Sequence, residues 1–314
     1  MNPIRFLHRF LAAGLLLTVL ALPRCLEAQL RETDLSLLRT EESRLHGLAR
    51  QMINGPMTDT RVHALQQFIP QLVKTLKTPY SYSYPFDSLK EISIQYPRDS
   101  SFRIFTWALQ ESLGQYRFYG ALQLKTRDGT LKLFPFFDNS AYTLDPTDTI
   151  TSNKAWIGAL YYRILETYYR GKPTYTLFGW QGSSYLSNKK LLDILSFRKG
   201  RPVFGAPKFV FARQGKSPQV QNRFILEYKS DGNASLNYDP RLQEIVYDHL
   251  VSINGQPQKK FTLVPDGTYE GFKWIAGRWV HENSVFPQTR GKTPVPQPME
   301  FKNRLLPPTG AAGN

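Results

Sequence analysis

The chain is expected to fold as a mainly β protein preceded by a helical hairpin. Two patterns predict this. Before residue 80 the apolar residues recur at helical spacing, and from there to residue 286 short aromatic and β-branched runs alternate with turn residues. Composition agrees, since 41% hydrophobic and 13% aromatic residues in a chain of 314 suit a folded protein rather than a disordered one.

The first element has the layout of a secretory signal peptide. Arg5 and Arg9 precede the apolar run 11–22 (LAAGLLLTVLAL), and Leu26-Glu27-Ala28 offers a cleavage site before Gln29. Residues 1–28 are therefore expected to be removed and the protein exported, either to a periplasm or to the outside. The run is too short to cross a bilayer, which takes about 20 residues, and no later stretch approaches that length. No transmembrane helix is expected in the mature chain. Lipid anchoring through Cys25 competes with this reading, but Pro23 and Arg24 stand where lipoprotein processing uses small residues. Cleavage after Ala28 would remove the chain's single cysteine. Without disulfides the fold must be held by burial, which a chain of this size can supply. Thiol catalysis, thiolate metal sites and iron–sulfur clusters are excluded with the cysteine.

Charge is basic but dispersed. The whole chain carries +15; losing Arg5, Arg9, Arg24 and Glu27 with the leader lowers this to +13. Acidic residues are interspersed, and the longest basic runs are the pairs Lys189-Lys190 and Lys259-Lys260. Nucleic-acid binding would call for a basic stripe, so none is expected. Attraction to anionic polymers of a cell envelope is the simpler reading.

The helical segment, 29–79, comes next. Leu35, Leu38, Leu45, Leu48 and Met52 form one stripe, and Asn54-Gly55-Pro56 stops that helix. Val62, Leu65, Phe68, Ile69, Leu72, Val73 and Leu76 form a second, in which Pro70 should bend or split the helix. Such amphipathic faces predict a hairpin that packs on the following sheet.

The β-rich domain, 80–286, opens with the runs 92–96, 102–107 and 116–125; Asp128-Gly129 then turns the chain into 131–134. Later runs are 159–165, 175–180, 191–197, 208–211, 224–229, 244–250, 260–264 and 271–282. The segments 102–107 (FRIFTW), 175–180 (YTLFGW) and 224–229 (FILEYK) echo one another, and 191–197 and 245–251 each carry a lone aspartate in an apolar run. Repeated antiparallel meanders of this kind suggest a propeller-like array or, with so loose a period, a twisted sheet or sandwich. Asp231-Gly232 reads as a tight hairpin between 224–229 and 234–238. The Pro-rich basic tail, 287–314, lacks apolar periodicity and is expected to be disordered.

No catalytic signature is present: there is no Gly-x-Ser-x-Gly elbow, no His-Glu-x-x-His and no phosphate loop. The histidines have no zinc-ligand spacing, so neither a metal site nor a cofactor is expected. The loop 179–190 (GWQGSSYLSNKK) combines glycines, aromatics, two amides, hydroxyls and ammonium groups. Trp180, Tyr185, Asn188 and Lys189 are its candidate ligand contacts, with a long hairpin connection as the plain alternative. Asp193, Asp248 and His249 are the acid–base candidates. Asp248 and His249 point to opposite faces of a regular strand, so a buried structural role for both aspartates is the favoured reading.

The stretch 175–209 (YTLFGWQGSSYLSNKKLLDILSFRKGRPVFGAPKF), together with 223–228, 245–250 and 272–282 (FKWIAGRWVHE), resembles uncharacterised exported proteins of Bacteroidota. The resemblance spans most of 89–282 and implies a Gram-negative envelope location, with no catalytic residues to carry over. Three functions stay open: a non-catalytic module that binds an envelope protein or glycan, an exported hydrolase of polysaccharide or phosphate ester, and a structural subunit of an envelope complex.

Overall fold

Two antiparallel helices and three sheets stack as four layers. The structure is a computed structural model that describes residues 30–182 and 184–286. The expected signal peptide and the expected tail, 287–314, lie outside the described residues.

Helix α1 (Glu32–Asn54) ends where Gly55 donates its N–H to Gln51. Helix α2 (Thr58–Leu76) runs through Pro70 as one helix, so the proline does not split it. Pro70 and Gln66 are both exposed, so water can satisfy the Gln66 carbonyl that the proline leaves without a donor. The inner faces of both helices, including Leu38, Leu45, Phe68 and Leu72, are buried against the first sheet.

That sheet is a meander of β1 (Ser93–Gln95), β2 (Phe102–Ser112), β3 (Gln115–Leu124) and β4 (Lys132–Phe137). Strand alternation splits β2 between two cores. Phe105, Trp107 and Leu109 face the helices, whereas Phe102 and Ile104 face the second sheet. Arg103, on the helix side, is fully buried without a carboxylate. Its guanidinium donates to the Ser81 and Tyr84 carbonyls, the Gln123 amide oxygen and the Tyr96 hydroxyl.

The second sheet contains β5 (Thr151–Ser152), β6 (Leu160–Tyr169), β7 (Lys172–Gly182), β8 (Ser187–Arg198) and β9 (Arg201–Phe204), in the order β5-β9-β8-β7-β6. After β10 (Phe209–Arg213) and β11 (Lys216–Gln221), the chain returns as β12 (Arg223–Lys229) to pair with β8. The third sheet is completed by β13 (Leu236–Asp239), β14 (Glu244–Ser252), β15 (Leu263–Ile275) and β16 (Arg278–Glu282), in the order β11-β10-β16-β15-β14-β13. Strand β8 separates two cores in the same way as β2: Leu191 and Leu195 pack toward the first sheet, Leu192 and Ile194 toward the third. Each fully buried Leu, Ile or Phe contributes about 1.5–3 kcal/mol, which is how a chain with no disulfide to rely on holds four layers together.

The β-rich expectation holds in its second form, as stacked open sheets, and the described residues form no propeller. The echoed segments 175–180 and 224–229 lie in β7 and β12, which flank β8 within one sheet rather than occupying equivalent places in successive blades. The expected Asp231-Gly232 hairpin is also corrected. Strand β12 pairs with β8 and β13 with β14, so this turn carries the chain from the second sheet to the third. Likewise the runs 260–264 and 271–282 are not separate strands. Strand β15 continues from Leu263 to Ile275 and then turns into β16.

Candidate binding cleft

Residues of the second and third sheets together line a cleft of about 560 Å3. One wall is Phe224 to Glu227 of β12 with Lys189 of β8, and the other is Tyr247 to Leu250 of β14 with Glu270 and His281. Lys260, Leu263, Pro146 and Thr147 also line it.

A strand irregularity equips this cleft. Residues 266–268 of β15 bulge out of the ladder between the pairs Asp248↔Tyr269 and Leu250↔Pro265. Gly267 supplies the positive φ of 86° that the bulge needs. The Asp266 carboxylate caps it by accepting from the Thr268 N–H at 2.9 Å and hydroxyl at 2.8 Å. Its other oxygen lies 2.8 Å from His249 Nδ1. Glu270 follows at the far side of the bulge. One of its oxygens accepts from the Tyr247 hydroxyl at 2.7 Å and lies 2.9 Å from His281 Nε2; the other is 3.7 Å from His249 Nε2. Asp266, His249, Glu270 and His281 thus form a continuous chain of alternating acid and imidazole groups.

The electrostatics follow from that geometry. Burial acts to raise the Asp266 carboxyl, but the Thr268 donors and His249 outweigh it and hold the group below its ordinary value. Partial burial of Glu270 is likewise outweighed by His281, Tyr247 and His249, so its carboxyl is also lowered. Burial drives the Tyr247 phenol well upward, with Glu270 adding to the effect, so it acts here as a neutral donor. Among the described residues, no group of three or more His, Cys, Asp or Glu side chains is arranged to hold a metal ion.

The sequence candidates are distributed unevenly around this site. Lys189, Asp248 and His249 all line the cleft. Lys189 Nζ is 3.9 Å from Glu227, its cross-strand neighbour. Asp248 accepts the Ser235 N–H at 2.6 Å, which ties β14 to the start of β13. Asp193 is elsewhere: it is fully buried in an ion pair, 2.9 Å from Arg223 Nε, and has no access to solvent. Trp180 is half-buried, its ring 5.3 Å from Tyr116 and 6.1 Å from Phe118. Asn188 donates to the Ser230 carbonyl at 3.0 Å, and Tyr185 projects at 64% exposure from the turn after β7.

Sequence reasoning passed over Asp266, Glu270, His281 and Tyr247. Residues 265–270 (PDGTYE) read as a connection between two strands, so their carboxylates were not placed beside β14. The available signal was Asp266-Gly267 two residues before a threonine, the pattern of a capped bulge.

Comparison of the chain with protein-family models, curated proteins and solved structures finds no significant match. No helix among the described residues is long and apolar enough to cross a membrane.

Proposed function

We propose that this is an exported, non-catalytic binding module of the cell envelope and that its cleft takes a short glycan segment. The observation that carries this reading is the convergence of β8, β10, β12, β14, β15 and β16 on one opening where donors and acceptors alternate. Lys189, Lys260 and His249 line it together with Glu227, Asp248 and Glu270 and with apolar side chains such as Phe224, Leu226 and Leu263. Sugar rings present hydroxyls that both donate and accept, together with apolar C–H faces, which matches such a lining. The cleft lies within the range of about 300–1,000 Å3 usual for small-ligand sites.

The test is a panel of soluble envelope glycan fragments offered to the full chain, with affinity measured for the fragment that binds. Lys189→Ala and His249→Ala should each weaken binding by about tenfold or more, as loss of a central polar contact does. Tyr185→Ala, outside the cleft, should leave it unchanged. Equal affinity in all variants contradicts the assignment.

One observation favours a second reading, a hydrolase of polysaccharide or phosphate ester. Asp266 orients the His249 ring through Nδ1, which is how a carboxylate prepares an imidazole to accept a proton from water. Under this reading the same panel releases product, and release is lost in His249→Gln while folding is retained.

A further inference from the structure

A second cavity lies in another layer, between α2 and the outer face of the first sheet, and it does not depend on the cleft reading. It measures about 380 Å3 and is lined mainly by apolar side chains, among them Leu72 and Val73 of α2, Trp107 of β2, and Leu133 and Phe137 of β4. Two features distinguish it from ordinary loose packing. Phe137 remains 56% exposed beside it, so the groove is open to solvent. Trp107 is 3% exposed, and its indole N–H is buried without a hydrogen-bond partner among the described residues. A buried unmatched donor costs free energy comparable to a lost hydrogen bond, and native proteins seldom leave one without a reason.

Charges also border the cavity, and both already have partners. Arg117 Nε lies 2.8 Å from Glu111. Asp138 accepts from the backbone N–H groups of Phe118, Ser140 and Gly158 and from the Ser140 hydroxyl. No uncompensated cation is left to receive an anionic headgroup.

The geometry points to a binding site for an uncharged amphiphile: an alkyl chain lies between α2 and β4, and a neutral hydroxyl or carbonyl oxygen accepts from Trp107. The ligand class is that of fatty alcohols and neutral acyl lipids, with free fatty acids disfavoured.

Calorimetric titration of the full chain with octanol, and with octanoate at pH 8, tests this directly. Octanol should bind at least about tenfold more tightly than octanoate. Val73→Phe, which fills the groove, should abolish octanol binding, and Leu133→Phe serves the same purpose if the first variant fails to fold. Trp107→Phe keeps the apolar wall, removes the N–H and should weaken octanol by about three- to tenfold. The proposal is overturned if octanol gives no binding, if both filling variants bind it like the wild type, or if octanoate binds more tightly. Unchanged affinity in Trp107→Phe overturns the assignment of the indole as donor.

Discussion

Asp193 and Arg223 face each other as a cross-strand pair on β8 and β12, and both side chains are fully buried. Burial pushes the Asp193 carboxyl above its ordinary value while the guanidinium opposes that shift. Arg223 also donates to the Pro146 and Thr149 carbonyls, so the pair anchors the long connection between β4 and β5 to the second sheet. Asp193→Ala leaves that cation buried without a counter-charge, which should lower unfolding stability by about 3–5 kcal/mol in urea titration. A loss below about 1 kcal/mol would show the aspartate to be dispensable. The aspartate itself stood out in the sequence as an interruption in an apolar run, and its structural role was the favoured reading there. Its partner could not be read off, because Arg223 lies thirty residues later on a strand whose pairing the sequence left open. Glu270 offers a test by pH. Its folded value is depressed below the ordinary 4.5, so its contribution to stability is present above that pH and is lost as pH falls through the lowered value. The stability gap between wild type and Glu270→Gln should therefore be present at pH 7 and shrink steadily below about pH 4.5. A gap that widens in acid contradicts the assigned contacts.

At the scale of elements, period alone located the helices and most strands. The apolar stripes of α1 and α2 were visible because each helix buries one face against a single layer. Whether Pro70 splits its helix could not be read from the sequence, because the cost depends on whether water reaches the freed carbonyl, a tertiary fact. Replacing it with Ala restores one backbone hydrogen bond, and even after allowing for the more flexible unfolded chain should stabilise the protein by about 2 kcal/mol. Thermal unfolding of Pro70→Ala checks this, and a lowered midpoint would mean that the ring itself makes a needed contact. The Asp231-Gly232 turn misled the reading. Turn chemistry fixes a reversal of the chain but not whether the flanking strands pair with each other. Here β12 pairs with β8 and β13 with β14, and the apparent hairpin becomes a crossing between layers. The same pairing brings Lys189 and residues 224–227 to one wall of the cleft, so the step that sequence reasoning missed is also one on which the candidate site depends.

For the molecule as a whole, the alternation within β2 and β8 assigns the layers. Residues of one strand serve two cores, and three cores in series join the helical pair to the outermost sheet. Those runs looked almost continuously apolar in the sequence, as strands buried on both faces do. That pattern revealed burial but not layer order, which follows from long-range pairing such as β12 with β8 and the parallel contact of β10 with β16. The binding chemistry depends on the same pairing, since the cleft draws on six strands between β8 and β16. The most direct measurement of the central claim is amide hydrogen exchange on the full chain, with and without the glycan fragment selected from the panel. The account predicts slowed exchange at residues 224–227, 247–250 and 266–270, with little change at the turn around Tyr185. Protection confined to that turn, or no fragment bound at all, would contradict it.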